Sequence, residues 1–334
     1  MRILLKIVAL GLLAGIVLVW DAQRLLQTPL SLSAEARFEI PQGVSFAAVV
    51  DRMAQQGLLS TPRAALYLRL HARYSDGLDS RIKSGEYALS PGLTPVGAVA
   101  LFVSGRTLLY ELRITEGWTY AQALDAIRRH PQIAQTLGPV EPAATMAALG
   151  QGGVHPEGRL FPDTYRFERN TADVSILRRA FDMQQQVLAE EWAARSPDLP
   201  YASPEEALIM ASIVEKETGL ASEREQIAGV FVRRLRLGMR LQTDPTVIYG
   251  LGSAYDGNIR LKDLRTDTPY NTYTRGGLPP TPICLPGRAS IRAALHPQAG
   301  DTLYFVSRGD GSHVFSATLD EHNAAVRRFQ LGQP

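Results

Sequence analysis

The N-terminus carries an uncharged apolar run from Ile7 to Trp20, preceded by the basic residues Arg2 and Lys6. A membrane-spanning helix needs about 17–25 mostly apolar residues, and the run reaches this length if the Lys6 ammonium group extends toward the lipid headgroups. Trp20 lies where an aromatic side chain would meet the membrane surface. The pattern predicts a transmembrane anchor over residues 7–24.

The same run is also compatible with the apolar part of a cleaved signal peptide. Residues 17–20, Val-Leu-Val-Trp, are all large, so the small residues of a signal-peptidase site are missing there. We therefore favour the anchor. Because positive charge stays on the cytoplasmic side, residues 1–6 are expected in the cytoplasm, and the remainder in the periplasm as part of a single-pass inner-membrane protein.

A pattern of alternating strand, glycine turn and helix start occurs three times after the anchor. Glycine adopts the turn conformation readily, and a hydroxyl two residues later can accept from the free N–H groups of the helix start. These pairs are Gly43 and Ser45, Gly92 and Thr94, and Gly117 and Thr119. The plain interpretation is three small β–turn–α units. The first two also resemble the LysM fold, whose members bind N-acetyl sugars, which predicts a LysM-like subdomain over residues 36–110.

A strongly marked helix begins after Ser203. Ser203 is a candidate N-cap, Pro204 suits the first turn, and Glu206 occupies the capping-box position. Gly219 is the expected terminator. A second capping-type start follows, in which Glu223 is predicted to cap the next helix.

Two glutamates near the end of the first of these helices, Glu215 and Glu217, compete as a catalytic acid. At about 100° per residue, Glu217 lies within ~20° of Met210 and ~40° of Ile213, on the most apolar stripe, whereas Glu215 lies near Ser212. Desolvation raises the pKa of a carboxyl group, and an acid still protonated near neutral pH can donate to a leaving oxygen. The alternative is that both glutamates are solvated charges at a helix end.

The segment 211–219, ASIVEKETG, resembles the signature of the endolytic murein transglycosylase family, also called YceG-like. Similar motifs follow in order along nearly the whole chain, such as GMRLQTDPTVIYG at 238–250, YNTY at 270–273 and ALHP at 294–297. The resemblance implies an α+β protein. In it a mixed α/β catalytic domain, residues 111–334, follows the anchor and the LysM-like part.

The resemblance also implies a lytic transglycosylase. Such an enzyme breaks the β-1,4 bond between N-acetylmuramic acid and N-acetylglucosamine in nascent peptidoglycan without adding water, leaves 1,6-anhydromuramyl ends, and terminates glycan elongation. Glu217, the second glutamate of the Glu-Lys-Glu sequence, corresponds to the catalytic acid/base of the family. The implied partners are peptidoglycan strands and the membrane, with peptidoglycan synthases working alongside.

Two motifs supply short polar and aromatic side chains suited to a sugar groove. Amide groups can hydrogen-bond N-acetyl groups in both directions, and tyrosines offer flat apolar faces with a polar tip. Asp244 has a second interpretation, because an Asp before Pro often shapes a turn. The predicted substrate-binding residues are Gln242, Thr243, Asp244, Tyr249, Asn271, Thr272 and Tyr273.

Composition excludes several other classes. The 35 basic and 33 acidic residues form no long basic block, so nucleic-acid binding has no electrostatic support. The single cysteine, Cys284, cannot form an internal disulfide or a Cys-based zinc site. The histidines form no His-x-x-x-His pair, so we expect neither a metal nor another cofactor. His313 and His322 lie in family motifs and are expected to be structural.

Two alternative functions remain open from the sequence. A muramidase would hydrolyse the same bond and would need a second carboxylate, for which Asp244 is the candidate. A non-catalytic envelope scaffold would bind glycan through the LysM-like part alone, and Glu217 would then have no chemical role.

Overall fold

The computed structural model describes residues 1–75, 77–138 and 142–332. The chain divides into two units, one formed by Met1–Tyr110 with Phe167–Asn170 and the other by Glu111–Arg166 with Thr171–Pro334. Helices and short strands occur in both units. The predicted α+β class is therefore confirmed.

The first unit contains an apolar N-terminal helix, two paired strands and three further helices. In chain order its elements are α1 (Arg2–Gln27), β1 (Ala36–Ile40), α2 (Phe46–Gln55), α3 (Pro62–Tyr74), a 3₁₀ turn (Leu78–Ser80), β2 (Gly85–Leu89) and α4 (Pro95–Ser104). Strands β1 and β2 pair antiparallel, with Phe38 opposite Tyr87. The ring of Phe102 stacks on Phe38 at 5.6 Å and meets Tyr87 edge-on at 5.0 Å. Burying each of these rings contributes roughly 1.5–3 kcal/mol to this core.

Helix α1 is long and apolar enough to cross a membrane, with 26 residues and a mean hydropathy of 2.6 in its most apolar part. Its C-terminal end belongs to the first unit, because Leu25 and Leu26 are buried in that unit's core. The Asp21 carboxylate accepts from Arg63 Nη1 at 2.9 Å and from the Tyr67 hydroxyl at 3.1 Å. These contacts fix the start of α3 against the end of α1.

The three predicted turn-and-cap sequences are confirmed. The three glycines have φ values of 75°, 88° and 76°, the left-handed region that favours glycine. In each case the following hydroxyl accepts from the backbone N–H three residues later, as seen for Ser45 with Ala48, Thr94 with Gly97, and Thr119 with Gln122.

The second unit contains most of the helices. The remaining elements in chain order are β3 (Leu109–Arg113), α5 (Tyr120–Arg129), β4 (Ile133–Ala134), α6 (Pro142–Ala148), β5 (Thr164–Glu168), β6 (Thr171–Ala172), α7 (Asp173–Ala193), α8 (Pro204–Glu217), a 3₁₀ turn (Ala221–Glu223), α9 (Arg224–Arg236), α10 (Asp244–Leu251), a 3₁₀ turn (Gly252–Ala254), α11 (Leu261–Arg265), α12 (Arg288–Leu295), β7 (Tyr304–Ser307), β8 (His313–Ser316) and α13 (Leu319–Phe329). Strands β7 and β8 pair antiparallel, β4 and β6 pair parallel, and β3 pairs with β5.

Helix α8 lies at the centre of this unit and packs against α7, α9, α10 and α12. Every residue from Ala207 to Val214 is buried, so the helix is held from all sides over two turns. The backbone carbonyl of Ser212 also accepts from the buried Cys284 thiol at 3.3 Å. Burial raises the pKa of Cys284 well above its usual value, which keeps the thiol protonated and inert.

The start of α8 is confirmed, but three expected caps differ. The Ser203 hydroxyl accepts from the Glu206 N–H as predicted, while the Glu206 carboxylate reaches the Ala202 N–H at 2.5 Å instead of the N-cap residue itself. The helix ends at Glu217 because Thr218 is extended, so the expected termination by Gly219 is wrong. The Glu223 side chain does not cap α9, because it bonds to His313 instead.

Candidate active site

Glu217 is the last residue of α8, and its half-buried side chain lines a cavity of about 540 Å³. The other walls come from α9, the segment before α10, the β7–β8 hairpin and α13. The rigid packing of α8 fixes the backbone of Glu217, and the extended Thr218 turns the chain away just beyond it. A carboxyl group is thereby delivered from a buried helix to the edge of an open cavity.

Burial is the main cause that raises the pKa of Glu217, to about 7 from an ordinary 4.5. The Thr243 hydroxyl donates to Glu217 Oε1 and opposes this rise, because a hydrogen bond to the ionised form stabilises it. The charge of Asp244 raises the pKa further, and those of His313 and Arg234 lower it. Near neutral pH the carboxyl is therefore divided between its acid and base forms, as a group that first donates and later accepts a proton requires.

A buried network of hydroxyl groups holds Thr243 in place. The Thr243 N–H donates to Thr272 Oγ1 at 3.1 Å, and its carbonyl accepts from Thr246 Oγ1 at 2.8 Å. The hydroxyls of Thr246 and Thr272 lie 2.9 Å apart. All three threonines are buried, so the group that contacts Glu217 has little freedom to move.

Gln242 adopts a backbone conformation that is rare for residues other than glycine, with a φ of 51°. Such a conformation costs roughly 1–3 kcal/mol and persists only where its surroundings enforce it. Arg234, buried in α9, supplies part of that enforcement by donating to the Leu241 carbonyl at 2.9 Å and to Gln242 Oε1 at 3.4 Å. The same guanidinium donates to the carbonyl of Leu303, the residue before β7, at 2.7 Å, so Arg234 connects the segment before α10 to the start of the hairpin.

Asp244 and Tyr273 face the same cavity and contact each other. The Tyr273 hydroxyl donates to Asp244 Oδ1 at 2.6 Å. Burial, and then this bond and the negative charges of Asp244 and Glu217, raise the pKa of Tyr273. Asp244 is also the first residue of α10, followed by Pro, so the turn-forming interpretation applies together with its place in the cavity wall. Four predicted binding residues therefore lie around Glu217: Gln242, Thr243, Asp244 and Tyr273.

The other three predicted binding residues lie outside the described lining of this cavity. The buried Asn271 amide donates to three backbone carbonyls between 2.7 and 3.1 Å away, which holds a loop together. Thr272 belongs to the hydroxyl network behind Thr243. The Tyr249 hydroxyl donates to Glu157 at 3.1 Å, and its ring meets Tyr270. Direct sugar contacts were expected from all three, and the structure instead gives them supporting contacts.

The comparisons with known proteins indicate the same family as the sequence motifs. A model of the YceG-like family matches residues 38–328. This chain belongs to the YceG-like family. A relative from Bacillus subtilis (strain 168), named endolytic murein transglycosylase, is 32% identical over 307 residues, which cover 87% of this chain and 83% of the relative.

Further YceG-like relatives extend the comparison. A protein of the same name from Streptococcus pneumoniae serotype 2 is 26% identical, and the match covers 86% of this chain but 57% of that longer protein. The crystal structure of a YceG-like protein from Listeria monocytogenes has 32% sequence identity and a TM-score of 0.54, covering 87% of this chain and 99% of that one.

Several groups of this YceG-like site were not predicted from the sequence. Arg234, Tyr304 and His322 line the cavity, and the Arg234 guanidinium lies 5.1 Å from the centre of the Tyr304 ring. His313, expected to be structural, also lines it. The motifs contained these residues, but no local pattern indicates that α9, the hairpin and α13 meet at Glu217.

The buried carboxyl group of Glu157 lies outside the cavity lining. It accepts from the Tyr120 N–H at 2.8 Å, which ties it to the start of α5. Burial raises its pKa to about 7, against the opposing hydrogen bonds from Tyr120 and Tyr249. Its contacts are therefore those of a structural group. Over residues 1–75, 77–138 and 142–332, no cluster of three or more His, Cys, Asp or Glu side chains is arranged to hold a metal ion.

Proposed function

We propose that this chain is an endolytic murein transglycosylase, the activity that its Bacillus and Streptococcus relatives are named for. The observation that carries this proposal is Glu217, whose carboxyl group has a pKa raised by burial to about 7 at the edge of a cavity of about 540 Å³. Ligand sites commonly measure about 300–1,000 Å³, so the cavity has room for sugar units.

In the proposed reaction one carboxyl group serves twice. Protonated Glu217 donates to the glycosidic oxygen, and the bond from that oxygen to C1 of N-acetylmuramic acid breaks. The 2-acetamido group of the same sugar stabilises the electron-poor C1, so the protein supplies no nucleophile. Ionised Glu217 then takes the proton of the 6-hydroxyl, whose oxygen closes onto C1 and leaves a 1,6-anhydro end. For this closure to outcompete hydrolysis, the bound glycan must keep water away from C1.

The neighbouring residues have distinct proposed roles. The hydroxyl of Thr243 steadies Glu217 through both steps because it can hydrogen-bond either form of the carboxyl group. Gln242, Asp244 and Tyr273 are proposed to contact the glycan, because they line the cavity. Tyr249, Asn271 and Thr272 are proposed to act indirectly, by shaping the segments that carry these contacts.

The organisation of the chain is part of the proposal. Residues 7–24 of the apolar helix α1 would cross the inner membrane, with 1–6 in the cytoplasm and the remainder in the periplasm. Residues 36–110 would form a LysM-like glycan-binding subdomain, which is supported by two paired strands that enclose two helices in the sequence. Residues 111–334 would be the catalytic domain, acting on nascent strands beside peptidoglycan synthases and ending their elongation.

A muramidase is the second candidate, because Asp244 provides another carboxylate in the same cavity as Glu217. With Asp244 as the base, water would attack C1 and the products would have reducing ends instead of anhydro ends.

Mass spectrometry of glycan fragments released from intact sacculi by the full-length protein in detergent tests both candidates. We expect the wild type to release fragments with anhydro ends and Glu217→Gln to release none. Glu215→Gln should release them at wild-type levels. Glu215 is the matched control because its carboxylate accepts from the Gly287 N–H at 3.0 Å, a bond that glutamine can retain. Reducing ends would support the muramidase, and no release by the wild type would leave only a glycan-binding scaffold.

A further inference from the structure

A histidine–carboxylate pair lies in the wall of the Glu217 cavity. His313 is the first residue of β8, and Glu223 lies in the turn that precedes α9. Glu223 Oε2 lies 2.7 Å from His313 Nδ1, and Glu223 Oε1 accepts from the His313 backbone N–H at 3.0 Å. The two side chains are only 12% and 13% exposed. One carboxylate therefore fixes both the backbone and the ring of a single histidine.

This contact determines which ring nitrogen is available for a ligand. An ionised carboxylate only accepts hydrogen bonds, so the proton of the pair lies on His313 Nδ1. In the neutral form of the ring, Nε2 then carries the lone pair, whereas the protonated form is the one whose charge lowers the pKa of Glu217. The rings of Phe305 and Phe315 meet the imidazole at 5.4 and 6.4 Å and limit its rotation. His313 lines the same cavity as Glu217 and its side chain is 12% exposed, so a glycan bound there would meet this residue.

We propose that His313 is a second catalytic residue, whose Nε2 accepts a hydrogen bond from the N–H of the 2-acetamido group, and that Glu223 is its positioning residue. This inference rests on the proposed function, in which the acetamido group assists bond cleavage. Two other acceptor atoms in the wall each have a partner within the protein: Asp244 Oδ1 accepts from Tyr273, and Gln242 Oε1 accepts from Arg234.

The chemistry explains why an imidazole backed by a carboxylate suits this position. As Glu217 gives its proton to the leaving oxygen, the acetamido carbonyl oxygen bonds to C1 and positive charge develops on the acetamido nitrogen. An acceptor at the N–H stabilises that charge, and Glu223 behind the ring strengthens the acceptor. When the 6-oxygen replaces the acetamido oxygen at C1, the N–H proton remains on nitrogen. His313 therefore ends the cycle in the state in which it began.

A titration by sugars tests the contact without any reaction. The probe is ¹⁵N-histidine-labelled full-length Glu217→Gln protein in detergent, because the ring signals of six histidine residues are few enough to assign by substitution. Saturating tri-N-acetylchitotriose should shift the His313 Nε2 signal, whereas cellotriose, which has hydroxyls in place of acetamido groups, should not. Equal shifts with both sugars, or no Nε2 shift at the highest soluble concentration of the acetylated sugar, would overturn the proposal.

Kinetics provides the second test. Removing a hydrogen-bond partner of transition-state charge typically costs about 10²–10³-fold, so His313→Phe, which keeps a ring but has no acceptor, should lower kcat by about that factor and change KM by less than about threefold. Glu223→Gln keeps an acceptor for Nδ1–H but loses the charge, so we expect a smaller fall in kcat, of about tenfold. His296→Phe is the matched control, because the half-buried ring of His296 bonds through Nδ1 to Ser196 at 3.2 Å, away from the cavity lining.

Two outcomes separate this inference from the proposed function. Unchanged kcat for His313→Phe, in a preparation whose wild type releases anhydro fragments, would remove His313 from the reaction and leave the role of Glu217 intact. A wild type that releases no fragments would contradict the proposed function, and the sugar titration would still decide whether His313 contacts an acetamido group.

Discussion

The hydroxyl of Thr243 is the hydrogen-bond donor to Glu217 Oε1, and Thr243→Val removes it with almost no change in shape. The backbone of Thr243 is extended, a conformation that valine adopts readily, and its N–H and carbonyl keep their bonds to Thr272 and Thr246. The substitution should therefore change the ionisation of Glu217 while the surrounding network persists.

The size of the effect follows from the charge of the acceptor. A hydrogen bond to a charged group is worth about 1.5–3 kcal/mol, and about 1.4 kcal/mol corresponds to one pKa unit. This bond lowers the pKa of Glu217 against the effect of burial. Its loss should raise the pKa by about one to two units above the present value of about 7.

The assay is the dependence of kcat/KM on pH for cleavage of purified glycan strands. The limb of the profile that reports ionisation of Glu217 should move to higher pH by about one to two units in Thr243→Val. Thr243→Ser keeps the hydroxyl and should leave the limb within about 0.3 units of the wild type. A Thr243→Val profile that superimposes on that of the wild type, or moves to lower pH, would show that this hydroxyl does not control the acid.

Three further substitutions, one of them with a matched control, test other parts of the structure. Asn271→Ala should lower the free energy of unfolding by at least about 1–3 kcal/mol in thermal denaturation, because three carbonyls lose their donor; unchanged stability would contradict the loop-holding role. The pKa of Glu157 is raised from 4.5 to about 7, so its stabilising contribution is complete below pH 4.5 and is lost as the pH rises through 7. Glu157→Gln should therefore gain stability relative to the wild type between pH 5 and 8 in urea denaturation, and a constant difference would contradict its burial. A Cβ at Gly229 would lie 2.4 Å from the Gln298 carbonyl oxygen, so Gly229→Ala should lower the free energy of unfolding by about 1–3 kcal/mol. Gly152→Ala is the control: no atom lies within 4 Å of its Cβ, so it should change the free energy of unfolding by less than about 0.5 kcal/mol.

Features that depend on a few neighbouring residues were predicted well from the sequence. The glycine turns, the hydroxyl caps and the start of α8 follow from local backbone chemistry. The helical period also distinguished Glu217 from Glu215 by its position on the apolar stripe. The structure shows that burial raises the pKa of Glu217, whereas the Glu215 carboxylate bonds to the Gly287 N–H.

Features that depend on tertiary contacts could not be predicted in this way. The chemistry of Asn271 suits a sugar contact and a loop contact equally, and only the fold shows that three carbonyls occupy its amide. Glu223 has the sequence context of a helix cap, but a histidine ninety positions later competes for its carboxylate. Gly219 was expected to end α8, yet an extended Thr218 ends the helix first.

The most direct test of the proposed role of Glu217 is a measurement of the pKa of its carboxyl group. A ¹³C NMR titration of glutamate-labelled full-length protein, with the Glu217 carboxyl signal assigned by its loss in Glu217→Gln, gives the midpoint without any substrate. We predict a midpoint of about 7, because the folded protein desolvates this carboxyl group. A midpoint close to the ordinary value of 4.5 would mean that the side chain is hydrated and ionised at neutral pH, and Glu217 could not then serve as the acid.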